Sequence, residues 1–208
     1  MSISQVELLW IPLGSGGPRL VRWSGRIYER CCALLGHRNV CDLYHSALRV
    51  RDEDGTTVTI EVAPAWGTLE RDRGVVRTGP VGTRLLGRFT LFRYEVRCWR
   101  DGVVPDAAAA VPGPLTLATD RRRTGLLLDQ VSLVPAPTWG RRAPGTTEMW
   151  NSNSVVSWLL LSSGHSLPDL PVRGRAPGWR SGVELALRPA EGPACVGPTA
   201  LTQSTGRP

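Results

Sequence analysis

Ser152 stands inside a polar knot, Asn151-Ser152-Asn153-Ser154, that runs directly into the apolar stretch Val155 to Leu161. Asn and Ser accept hydrogen bonds from the free amides of a first helical turn, so the knot predicts a helix beginning near Asn153. A hydroxyl at that position sits beside the positive end of the helix dipole. Amides of Asn151, Asn153 and Ser154 could there support an oxyanion. Serine is barely ionised near neutrality, so acyl chemistry would need an adjacent base. His45 has the right titration range to take the proton and return it to a leaving group. Glu61 places a carboxylate within the otherwise apolar Val58-Thr59-Ile60-Glu61-Val62. Each residue also has a simpler reading: Ser152 as a helix cap, His45 as a sheet-surface or core histidine, Glu61 as a solvent-facing strand residue.

The elements that must position these groups follow from periodicity. Residues 42–50 alternate, with Leu43, His45, Ala47 and Arg49 on one face and Tyr44, Ser46, Leu48 and Val50 on the other. That is a strand. Asp52-Glu53-Asp54-Gly55 reads as a turn into the β-branched run 56–62, giving a hairpin. Further strands are expected over 5–12, around Val75-Val76, over 88–99 and at 183–187. In the third of these, 88–99, Phe92, Tyr94, Val96 and Cys98 share a face. Helices are expected over 24–35, with Ile27, Cys31, Leu34 and Leu35 inward, and over 120–130, with Leu126 and Leu127 inward. The helix after Asn153 should bury Val155, Trp158 and Leu159 and stop at Gly164. Residues 101–114 read as a loop. The sum is an α+β fold, an antiparallel sheet packed against helices, as one domain over 1–188 with a disordered tail over 189–208.

Asn-Ser-Asn-Ser-Val-Val-Ser-Trp-Leu-Leu, residues 151–160, resembles the Asn-Cys-Asn-Ser/Thr…Trp-Leu-Leu signature of the circularly permuted papain-like superfamily. That group includes permuted NlpC-type amidases and relatives of lecithin–retinol acyltransferase. The resemblance implies a histidine on a strand, an orienting residue on the next strand and a nucleophile opening a late helix. Those roles fall on His45, Glu61 and Ser152, with serine at the cysteine position. It thus implies an amide or ester hydrolase, or an acyltransferase, acting on a peptide or small acyl or amide substrate. The alternative is a catalytically inactive papain-like module that binds a peptide or small ligand.

Composition narrows the field. The chain has 208 residues and a formal charge of +7, but all 25 basic residues are Arg and only Arg121-Arg122-Arg123 forms a run. Dispersed arginine without an aromatic-interleaved stripe argues against nucleic-acid binding. The apolar run 155–161 is too short to span a bilayer, and no signal segment is legible, so a cytoplasmic protein is expected. Five cysteines without a paired Cys-x-x-Cys argue against both a disulfide framework and zinc, and no cofactor motif is present. His37 and His165 each follow a helix end and read as structural.

Overall fold

The computed structural model describes residues 4–15, 29–66, 73–104, 106–118 and 120–188. Its strands are β1 (Gln5–Pro12), β2 (Asp42–Arg51), β3 (Thr57–Pro64), β4 (Val75–Pro80), β5 (Arg93–Arg100), β6 (Leu115–Ala118) and the short β7 (Gly174–Arg175). They form a sheet in the order β4-β5-β3-β2-β1-β6, every neighbour antiparallel, while β7 adds a parallel pairing at the start of β2. Helix α1 occupies 29–35 among the described residues. Helices α2 (Arg121–Val131), α3 (Ser152–Ser162) and α4 (Trp179–Ala186) follow. The expected α+β architecture, with strands 42–50 and 56–62 joined as a hairpin, is what the chain adopts. Gly55 closes that hairpin at φ 85°, a conformation open to glycine but costly for other residues.

The strand period separates two cores. Val6, Leu8 and Trp10 of β1, Tyr44, Leu48 and Val50 of β2, Ile60 of β3, and Tyr94 and Val96 of β5 face one side. There they pack with Leu127 and Val131 of α2 and with Val155, Val156, Leu159 and Leu160 of α3. Trp179 of α4 stacks at a tilt on Trp10, with ring centroids 4.8 Å apart. The opposite face carries a smaller cluster of Leu9, Ile11 and Ala47, covered by Val104 with Ala107 and Ala110. From Leu8 to Ile11 the interior strand β1 is apolar on both faces, because both are covered there.

Several expectations are corrected. The segment 183–187 is the end of helix α4, not a strand. The expected 88–99 strand begins only at Arg93, since 85–92 fold into two 3-10 turns. The 101–114 loop holds a short 3-10 turn, and β6 follows it. In the described part of the 24–35 helix, Cys31, Leu34 and Leu35 are exposed rather than inward, while Glu29 and Ala33 are buried. Leu126 likewise faces solvent, so of the expected pair only Leu127 points inward, with Thr124 and Val131 buried beside it. Trp158 is only partly buried: α3 buries Val155, Val156, Leu159 and Leu160, and the bulkiest side chain is left at the margin. The expected tail over 189–208 lies outside the described residues.

Candidate functional site

The polar knot caps α3 as its residue types require. Asn151 is the N-cap, its Oδ1 accepting from the amides of Asn153 (2.9 Å) and Ser154 (3.4 Å), while the Asn151 amide donates to Ser154 Oγ. This reciprocal pair is a capping box. It also uses the amides that an oxyanion would need, so Asn151, Asn153 and Ser154 serve the helix instead of an open site. Asn153 is the hub of a wider junction. Its Nδ2 donates to the carbonyls of Tyr44 and Pro177, both at 2.9 Å, and its Oδ1 accepts from Ser46 Oγ at 2.8 Å. Ser154 Oγ donates to Gly178 O and Ser157 Oγ to Trp179 O. The motif thus ties β2, α3 and the start of α4 together.

Ser152 is 6% exposed, and its hydroxyl makes no hydrogen bond to another described residue. His45 is not beside it. Ser46 points to α3, so its neighbour His45 points to the other face of the sheet, with Ala47 and opposite Ile11. Burial lowers the His45 pKa, and the opposing influence comes from Asp106 on the covering segment. Glu61 lies on that same far face because its neighbour Ile60 belongs to the helix-side core. Its carboxylate meets Arg97 at 3.5 Å. Arg97 also pairs with Glu95 at 3.1 Å, and Glu95 pairs with Arg73 at 2.6 Å. Burial raises the Glu61 pKa against the pull of Arg97, whereas Arg73 holds Glu95 below the ordinary carboxylate range. The structure therefore brings His45 and Glu61 to one face and Ser152 to the other. The sheet separates hydroxyl from base, and no Ser-His-Glu relay is assembled.

An open cleft lies above the knot. It has a volume of about 760 Å³ and is lined by Gly140, Arg141, Arg142, Thr147, Glu148, Met149, Arg175, Pro177 and Gly178. Glu148 Oε2 accepts from the amides of Gly178 (2.8 Å) and Arg180 (3.3 Å), so its charge offsets the positive end of α4. Gly178 has φ 86°, and a Cβ there would stand 2.5 Å from Asn151 Oδ1, so this wall admits only glycine. Arg141 is anchored to Gly82 O at 2.9 Å. Arg142 and Arg175 form no ion pair or side-chain hydrogen bond among the described residues. Sequence reasoning missed this cleft. The Arg141-Arg142 pair and Pro177-Gly178 were its legible signals, but only the fold places them around one opening.

Among the described residues no group of three or more His, Cys, Asp or Glu side chains could hold a metal ion, and no helix is long and apolar enough to cross a membrane. Cys31, Cys32, Cys41 and Cys98 are free thiols.

The buried imidazoles set a pH dependence. His165 is 3% exposed, its Nδ1 meets Ser163 Oγ at 2.8 Å, and its Nε2 has no partner among the described residues. Burial lowers its pKa, Arg123 adds to that and Asp120 opposes it. The fold holds His165 and His45 neutral. As pH falls below the unfolded imidazole value of about 6.5, the unfolded chain takes up protons that the native state refuses, so stability falls. Urea midpoints between about pH 7.5 and pH 5 are expected to decline. A combined His45→Gln, His165→Asn variant is expected to flatten the decline; an unchanged slope would show that these rings are not the source.

Comparison with known proteins finds no family model, curated protein or solved structure that matches the chain.

Proposed function

We propose that the chain is a non-catalytic binding module whose cleft takes a small ligand or peptide end bearing a carboxylate or phosphate. The observation that carries this reading is the pair Arg142 and Arg175, which line one cleft and form no salt bridge or side-chain hydrogen bond among the described residues, Arg175 acting only as a longer-range attraction on Glu29. Guanidinium groups match planar and tetrahedral anions through paired N–H donors. Arg141 holds the rim, and Glu148 is occupied by backbone amides, which leaves the cleft's net character cationic. The resemblance of 151–160 to the permuted papain-like signature fits this reading. What persists is the part of the motif that caps and buries a helix, while serine stands at the nucleophile position.

The test pairs binding with a search for catalysis. Calorimetric titration with inorganic phosphate, and with a short peptide as its free acid and as its C-terminal amide, is expected to show binding of the anions only, weakened by salt. Arg142→Gln combined with Arg175→Gln is expected to weaken it by about tenfold or more, the scale of losing charge-assisted hydrogen bonds. No binding of any anion would remove the reading. A fluorophosphonate probe is expected to leave Ser152 unlabelled, since no base stands beside it. Covalent labelling at Ser152 that His45→Ala abolishes would instead establish the acyl-transfer reading.

A further inference from the structure

We infer that the segment between β4 and β5, together with Trp66, is a docking tip for an anionic membrane surface. The proposal goes beyond the cleft and stands on different residues. The 3-10 turns Leu85–Arg88 and Thr90–Phe92 bury no side chain. They present Leu85 at 83% exposure, Phe89 at 50% and Leu91 at 59% to solvent, with Leu86 beside them. The end of β3, the end of β4 and the start of β5 lie at the same edge of the sheet, because Pro64 and Gly79 both register with Tyr94. Ala65 then bonds Arg93 O, which brings the half-exposed Trp66 to that edge.

Charge selects the occupant. From Val75 to Tyr94 the chain contains four arginines and no Asp or Glu, whereas Arg73 just before them is paired with Glu95. Arg84 and Arg88 are exposed between the apolar residues, and the Arg88 guanidinium lies over the Phe89 ring, 4.9 Å from its centroid. Arg93 braces the turn from inside by donating to Gly87 O and, at 3.2 Å, to Arg88 O. Arg141 secures its root through Gly82 O. A turn segment that sets large exposed apolar side chains beside Arg84 and Arg88 suits the headgroup boundary of an anionic bilayer. There the apolar groups enter the acyl region and arginines meet lipid phosphates. Tryptophan is favoured at that same depth.

Vesicle co-sedimentation of the full chain tests this directly. Phosphatidylcholine vesicles containing about one quarter phosphatidylserine are expected to retain the protein, pure phosphatidylcholine vesicles much less, with retention falling at high salt. Leu85→Ser with Phe89→Ser is expected to abolish binding, and Arg84→Gln with Arg88→Gln to weaken it by about thirtyfold. All four positions face solvent, so circular dichroism and melting should match the parent. Tryptophan fluorescence is expected to shift blue with anionic vesicles, and Trp66→Phe to remove most of that shift. Equal sedimentation of the parent and the Leu85→Ser, Phe89→Ser variant would overturn the proposal. So would failure of the parent to bind anionic vesicles, or a concentration-dependent dimer that Phe89→Ser dissolves, which would make the tip a contact between copies.

Discussion

Gly182→Ala is expected to lower the unfolding free energy by about 3 kcal/mol or more, at the upper end of what overpacking costs. The added Cβ would stand 2.0 Å from the Ser154 carbonyl oxygen and 2.2 Å from Ser157 Oγ. A flexible side chain could move aside, but a backbone carbonyl inside α3 cannot. Helix α4 would therefore have to lift from α3, straining the bonds from Ser154 to Gly178 and from Ser157 to Trp179. The tilted stack of Trp179 on Trp10 would open with it. Gly125→Ala supplies the contrast. Gly125 lies on the exposed side of α2, and a Cβ there meets nothing within 4 Å. That substitution is expected to raise stability by roughly 0.5–1 kcal/mol, the ordinary helix preference for alanine over glycine. Chemical denaturation of both variants decides the matter. If Gly182→Ala unfolds with the parent, the two helices are not in the close contact described.

Asn153→Ala is the second large effect, with an expected loss of about 4 kcal/mol. The side chain serves two carbonyls and one hydroxyl, and the residue is 2% exposed. Truncation leaves Tyr44 O and Ser46 Oγ without these bonds in a place where water does not readily replace them, while Pro177 O keeps its bond from Asn151 Nδ2 at 2.8 Å. Asn153→Asp is informative because it keeps the shape and removes the donors. A carboxylate there would face two carbonyl oxygens, so it is expected to be at least as damaging as alanine. Ser46→Ala removes only one contact and is expected to cost about 1 kcal/mol. Equal stability of Asn153→Ala and Ser46→Ala would mean that the junction through Tyr44 and Pro177 is not formed. Neither Asn153 variant is expected to change vesicle retention through the 81–92 segment, which shares no hydrogen bond with this junction among the described residues.

These sensitivities converge on the stretch that reads most strongly in the sequence, for a reason other than the one its chemistry suggested. Local physics was legible. The capping knot over 151–154, the stop at Gly164, the Asp52–Gly55 turn and the two-residue alternation of 42–50 all depend on near neighbours along the chain. Each therefore follows from residue type and spacing alone. The antiparallel sheet with helices packed against it follows from the same pattern.

What the tertiary structure decided concerns parity and distance. Alternation says that His45 and Ser46 point to opposite faces, but not which face receives α3. The docking of Asn153 onto Ser46 and Tyr44 settled that and put His45 across the sheet from Ser152. The segment 183–187 is too short for its apolar residues to distinguish strand from helix. Glu148 capping the Gly178 and Arg180 amides, and Gly182 nesting on Ser154, decided for helix. Arg142 and Arg175 are far apart in sequence and share a cleft only because β7 returns the chain to the start of β2. Hydrogen bonds between neighbours in sequence can be read from spacing, whereas the side of a sheet on which a helix lands depends on every surface competing for that place.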